Sequence, residues 1–279
     1  MSLTIEVARE AGACFGVERA LKLALETAEL AEGPVHTLGP LIHNPVVVRD
    51  LEAHGVTAVE DPEVSPDATL LLRTHGVSPE VEASAKATGA RVIDATCPYV
   101  KKVHRAVERL DAEGYQVVIV GEVGHPEVEG TRGHAPAALV VGSAEDVSHA
   151  ELGRRVGVVV QTTMAKAVLD EVVCALTARA EEVRVLNTIC DATSKRQQAA
   201  TELAARADVM VIVGGKNSAN TTHLADICRA ACAATHHIET PDELDASWFD
   251  GVGLVGVTAG ASTPQAHIAA VCTALESLS

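Results

Sequence analysis

Aromatic side chains are nearly missing from this sequence: two phenylalanines, two tyrosines and one tryptophan make up 2% of its 279 residues. A core built without them has to come from Val, Leu, Ile and Ala, the material of β-branched strands and alanine-rich helices, so the composition is that of an α/β protein. Positive charge is short as well. Only 22 Lys and Arg stand against 38 Asp and Glu, a formal charge of −16 with no basic patch, which argues against nucleic acid and anionic membrane as partners. A phosphorylated small molecule is not excluded, because charge more than about 8 Å away is largely screened at physiological salt. No apolar run reaches about 18 residues and no signal peptide opens the chain, so a cytoplasmic protein is expected. No CxxC pair is present, which sets aside the spacing of zinc ribbons and ferredoxins.

What the sequence does have is seven cysteines, an odd number, of which three share one kind of position. The β-rich run Val92-Ile93-Asp94-Ala95-Thr96 ends at Cys97, followed by Pro98, a residue suited to open a helix. Near the start, Leu3 to Ala8 leads through a short loop to Cys14, and Val183 to Ile189 leads to Cys190. Each thiol falls between a strand signal and a helix signal. The intervals are 83 and 93 residues, which reads as a threefold repeat with one thiol per copy.

Within each copy the order recurs. After the thiol come a helix, a strand, a polar loop, further elements, and a later strand that runs into a second polar loop. The helices are expected from Phe15, from Pro98 to about Gly114, and from Ser194 to Arg206; the loops are Gly39–Pro45, Gly121–Gly130 and Gly214–Thr221. Counted from the thiols, His43, His125 and Asn220 lie 29, 28 and 30 residues on, and His75, Thr162 and Ser262 lie 61, 65 and 72 on. The third copy lacks a closing strand, which the unattached N-terminal strand can supply, closing the copies into a ring. The expected α/β units are therefore 14–96, 97–189 and 190–279, the last completed by 1–13, each with a small, mostly parallel sheet. Ligands of such units gather at the carboxyl ends of strands, which would bring thiols and polar loops to one central cavity.

Three thiols from separate segments can ligate three irons of a cubane cluster and leave the fourth open. Cys174, Cys228, Cys232 and Cys272 lie in apolar helical runs and read as packing residues. Zinc held by the same three thiols, in a module without catalysis, is the competing reading. His43, His75 and His125, with Ser218, Asn220 and Ser262, are donors for a phosphate, whereas turn chemistry by Ser, Asn and Gly is the bland account of the last group. An extended loop would place His125, Glu127 and Glu129 on one side. Glu127 is a candidate proton donor, Glu129 a solvated carboxylate, and Thr162 either a proton relay or a turn residue.

These segments, among them Cys14-Phe15-Gly16-Val17, Ile42-His43-Asn44, Thr74-His75-Gly76-Val77, Asp94-Ala95-Thr96-Cys97-Pro98, Gly124-His125-Pro126-Glu127-Val128-Glu129-Gly130-Thr131, Gln161-Thr162-Thr163, Asn217-Ser218-Ala219-Asn220 and Thr258-Ala259-Gly260-Ala261-Ser262, resemble the 4-hydroxy-3-methylbut-2-enyl diphosphate reductase family nearly end to end. The resemblance implies a trefoil of three α/β units around a 4Fe-4S cluster with one open iron, ligated by Cys14, Cys97 and Cys190. It implies diphosphate contacts by His43, His75, His125, Ser218, Asn220 and Ser262, and proton delivery by Glu127 with Thr162. The implied reaction is reductive dehydroxylation to isopentenyl and dimethylallyl diphosphate, the last step of the methylerythritol phosphate route, with ferredoxin or flavodoxin as electron donor. Ala219 stands where some members carry a second serine, and the longer tail of some relatives is missing. A paralogue acting on another phosphorylated allylic substrate is the alternative.

Overall fold

A computed structural model describes residues 3–278; residues 1, 2 and 279, which the expected limits 1–13 and 190–279 take in, lie outside the described residues. The chain runs β1 (Thr4–Val7), α1 (Phe15–Leu30), β2 (Val35–Leu38), α2 (Pro45–Ala53), β3 (Val56–Val59), β4 (Thr69–Leu72), α3 (Pro79–Ala87) and β5 (Arg91–Asp94). It continues through α4 (Pro98–Ala112), β6 (Gln116–Val120), α5 (Pro126–Gly133), β7 (Leu139–Val141), α6 (Ala144–His149), β8 (Arg155–Val160), α7 (Lys166–Thr177) and β9 (Glu182–Val185). The remainder is α8 (Asp191–Ala204), β10 (Val209–Val213), α9 (Ala219–Ala231), β11 (Thr235–Ile238), β12 (Leu254–Ala259) and α10 (Gln265–Ser277), with two short 3-10 turns before β12.

The strands form three four-stranded sheets, ordered β3-β2-β4-β5, β7-β6-β8-β9 and β1-β12-β10-β11, and every pairing is parallel. β1 takes the edge place beside β12 that β5 holds beside β4 and β9 holds beside β8. Parallel strands are covered on both faces, which is why their central members read as unbroken aliphatic runs. All five residues of β10 are buried. Each such Val or Ile contributes about 1.5–3 kcal/mol relative to exposure.

Contacts divide the chain into two compact units. The first comprises residues 1–18, 42–50 and 191–279, the second residues 19–41 and 51–190. The first holds the sheet of β1, β10, β11 and β12; its aliphatic core runs through Val211, Val257 and Val271, and the buried Phe249 packs into it. The second holds the other two sheets.

Two expected loops turn out to be partly helical. α5 begins at Pro126 and α9 at Ala219, because the capping side chains of His125 and Ser218, joined in α5 by Pro at the first helical position, start a helix without an apolar run to announce it. The helix after Cys190 begins at Asp191, three residues earlier than Ser194, with an acidic side chain in the first turn where the helix dipole favours it.

Candidate functional site

Strand pairing fixes which positions of the three copies correspond. Leu38 pairs with Leu72, Val120 with Val160, and Val213 with Ala259. Two residues past the second member of each pair lie Thr74, Thr162 and Ala261, and their carbonyls accept the amides of Cys97 at 3.0 Å, Cys190 at 3.2 Å and Cys14 at 3.1 Å. Each candidate thiol is thus tied by its own backbone to the loop of the neighbouring strand. The pairing also shifts the register read by counting: Thr162 corresponds to Thr74, and the counterpart of His75 and Ser262 is Thr163. Likewise Ser218, not Asn220, precedes its helix as His125 does.

In the second unit, β4 delivers His75, α5 delivers His125 and Glu127, and β8 delivers Thr162. His125 caps α5, its Nδ1 accepting the Glu127 amide at 3.1 Å, so the neutral ring carries its proton on Nε2. The His75 and His125 rings meet edge to face with centroids 5.6 Å apart. Glu127 is 3% exposed. Its Oε1 accepts from the Thr162 amide at 2.6 Å and its Oε2 from the Thr162 hydroxyl at 2.8 Å. Burial pushes the carboxyl up to about 6, against the two hydrogen bonds that pull it down. Glu129, two residues further along α5, is exposed, and its Oε1 accepts the Gly124 amide. The one-sided arrangement of His125, Glu127 and Glu129 is therefore overturned by the helix: successive i, i+2 residues face different ways on α5.

In the first unit, the Ser262 hydroxyl donates to the His43 carbonyl at 3.1 Å, and the Asn44 side chain donates to the Ser262 carbonyl at 2.9 Å. A β-carbon on Gly215 would stand 2.8 Å from the His43 carbonyl oxygen, so the loop leading to α9 lies directly on His43. Ser218 caps α9, and Asn220 is buried with its Nδ2 lacking any partner. A buried amide donor without an acceptor marks a place where an anionic oxygen fits.

Cys14, Cys97 and Cys190 are half-buried, and none of the seven cysteines is in a disulfide. Cys97 is the N-cap of α4, but its side chain makes no capping bond. Among the described residues no group of three or more His, Cys, Asp or Glu side chains forms a metal-holding cluster. As donors, three thiols at strand-to-helix turns suit soft ligation of iron–sulfur or zinc.

A family model described as LytB protein matches residues 5–276. The chain belongs to this family. The LytB match is joined by curated relatives named 4-hydroxy-3-methylbut-2-enyl diphosphate reductase. That of Aquifex aeolicus is 49% identical over 264 residues, 93% of this chain and 91% of the relative. That of Geobacter sulfurreducens is 48% identical over 264 residues, 94% and 93% of the two chains. A solved structure of (E)-4-hydroxy-3-methyl-but-2-enyl diphosphate reductase, the terminal enzyme of the non-mevalonate pathway, is 47% identical with a TM-score of 0.74, covering 99% of this chain and 100% of that one. The corresponding reductase of Plasmodium falciparum is 27% identical with a TM-score of 0.92, covering 98% and 88%.

Two residues of this LytB chain have roles that the sequence did not assign, although Asn44 lies in the Ile42-His43-Asn44 segment that carries the resemblance. Asn44 holds the Ser262 carbonyl and accepts the Val46 amide at 3.1 Å and the Val47 amide at 3.3 Å, capping α2; an Asn before a Pro at a helix start was the available signal. Arg19 donates to the carbonyls of Asp94, Ala95 and Thr96 at 3.2–3.4 Å, bracing the segment that leads to Cys97. It shares its side of α1 with Lys22 and Glu26, so no pattern set it apart from solvated charges. No helix among the described residues is long and apolar enough to cross a membrane.

Proposed function

We propose that the chain is an iron–sulfur reductase that converts 4-hydroxy-3-methylbut-2-enyl diphosphate to isopentenyl and dimethylallyl diphosphate. The observation that carries the reading is the buried Glu127 carboxyl, raised to about 6 and held by both polar groups of Thr162, the residue whose carbonyl accepts the Cys190 amide. A buried acid of that kind beside a thiol-bearing turn is of no use to a structural zinc module. Relatives of nearly full coverage with that activity support the same reading.

In this reading Cys14, Cys97 and Cys190 would hold a 4Fe-4S cluster with one iron left open for the substrate. When bound, the cluster supplies electrons and Lewis acidity toward the hydroxyl oxygen. The chain's own residues do the rest. His43, His75, His125, Ser218, Asn220 and Ser262 would contact the diphosphate and orient the allylic end, the Ser262 hydroxyl turning from the His43 carbonyl to do so. Glu127, whose pKa raised to about 6 lets it take up a proton close to neutral pH, passes that proton through the Thr162 hydroxyl to the departing hydroxyl. The balance is two electrons and two protons in, one carbon–oxygen bond broken, one carbon–hydrogen bond formed, and water released. A one-electron donor such as ferredoxin or flavodoxin, as the family resemblance implies, would deliver the electrons, and the three α/β units would keep the limits 14–96, 97–189 and 190–279 with 1–13.

The test is anaerobic. Iron-reconstituted protein with reduced methyl viologen is given 4-hydroxy-3-methylbut-2-enyl diphosphate, and loss of the dye's colour is followed. Oxidation that depends on substrate is expected. No oxidation by protein whose iron and acid-labile sulfide are intact would overturn the reading and turn attention to Ala219 and to other phosphorylated allylic alcohols.

A further inference from the structure

The loop that carries His75 rests on residues with no part in the chemistry above. Gly76 has φ +74, and a β-carbon there would stand 2.6 Å from Cε1 and 3.1 Å from Nε2 of His104. His104 projects from α4, is 8% exposed, and its Nε2 is buried without a hydrogen-bond partner. The ring stacks on His134, centroids 4.1 Å apart, and His134 Nδ1 lies 2.7 Å from Glu108. Burial pushes His104 down to about 4, so a neutral ring meets the loop at pH 7. The same loop also rests on α5. A β-carbon at Gly130 would stand 3.2 Å from the Gly76 carbonyl oxygen, and one at Gly133 would stand 2.1 Å from Ser78 Cβ. α5 is the helix that begins with His125 and Glu127. The separation of His75 from His125 is therefore set by how closely Gly76 to Ser78 beds onto α4 and α5. A cavity of about 300 Å³, lined by both stacked histidines, Thr96, Lys101 and Val77, gives the loop room to move once the ring is gone.

We propose that His104 is a positioning residue: by bearing on Gly76 it keeps His75 in its edge-to-face contact with His125, and so sets the grip on the substrate's diphosphate without touching it. The proposal rests on the reading that His75 and His125 hold the diphosphate. A side chain buried merely for packing would change how much protein folds, not how tightly the folded protein binds.

The experiment is calorimetric titration of the cluster-loaded protein with inorganic pyrophosphate. His104→Ala is expected to raise Kd on the order of tenfold at unchanged iron content, with kcat/KM for the substrate falling more than kcat. His104→Gln, which keeps the bulk and a neutral polar end, is expected to restore most of the affinity. His75→Ala is the control. Unchanged pyrophosphate binding in His75→Ala would sink the diphosphate reading instead. If His75→Ala weakens binding while His104→Ala only lowers the melting temperature and the fraction of competent protein, with Kd within twofold, the positioning role is refuted. Gly76→Ala adds a second check: it is expected to cost more affinity with His104 present than in His104→Ala, where the colliding ring is absent. Equal losses in both backgrounds would also overturn the proposal.

Discussion

Thr162→Val isolates one hydroxyl. The variant keeps the backbone amide that donates to Glu127 Oε1 at 2.6 Å and loses the hydroxyl that donates to Oε2 at 2.8 Å. A hydrogen bond to a charged group is worth about 1.5–3 kcal/mol, and one pKa unit is 1.36 kcal/mol, so the carboxyl should rise by roughly one to two units. From its present value of about 6 it would reach roughly 7 to 8. At pH 7 the protonated fraction would climb from about one tenth to about half or more, while the relay through the hydroxyl is lost. The assay is the pH profile of kcat/KM with reduced methyl viologen, taken as the ratio of variant to wild type so that the substrate's own ionisation cancels. The alkaline limb, where the acid loses its proton, is expected to move up by one to two pH units on a lowered plateau. A limb that stays in place in a folded, iron-replete variant would refute the assignment of Thr162 as the group that holds this carboxylate.

Glu127→Gln should keep iron content and fold and lose on the order of 10²–10⁴ of the turnover, because the proton and not the bulk is required; near-normal turnover would sink the proton-donor role. The same variant tests a linkage. The folded pKa of Glu127 is raised from 4.5 to about 6, so its contribution to stability is complete below pH 4.5 and is lost as pH rises through about 6, a change of about 2 kcal/mol. Urea unfolding between pH 4 and 7 should show that slope in wild type and its absence in Glu127→Gln, and parallel curves would contradict it. Asn44→Ala removes a helix cap and leaves the Ser262 carbonyl unpaired, so unfolding free energy should drop by about 2–3 kcal/mol in the same assay. Cys97→Ser should lower bound iron, read by metal analysis after anaerobic reconstitution, and unchanged iron would show that this thiol is not a ligand.

The placement of the candidate thiols was legible because it is carried by covalent neighbours. A thiol that ends a Val- and Ile-rich run can be placed at a strand-to-helix turn by pattern alone, and all three were. The edge place of β1 beside β12 followed from a copy that was one strand short. Register across copies was less legible, since offsets of 61, 65 and 72 residues absorb different connections and only strand pairing shows that Thr162 answers to Thr74 rather than His75. Glu127 and Glu129 look alike as letters. Their opposite fates, one buried and one exposed, come from the helical turn that His125 and Pro126 start. His104 was passed over because a histidine amid Lys101, Lys102 and Arg105 reads as part of a wet helix face, and its burial is decided by Gly76 and His134, far away in the chain.

The pairing of β1 with β12 has a consequence for the order of synthesis. Thr4 to Val7 leaves the ribosome about 250 residues ahead of its partners Leu254 to Val257. Until then the strand must wait with an open hydrogen-bonding edge, while the sheets of β2 to β5 and β6 to β9 can already close from contiguous chain. Closing so long a loop is slow, so of the three sheets the one that contains β1 is the last to form. A strand held unpaired through so long a stretch of synthesis gives a crowded cell time to intervene, and the acidic Glu6 within it is the kind of residue that discourages a stray strand from joining it.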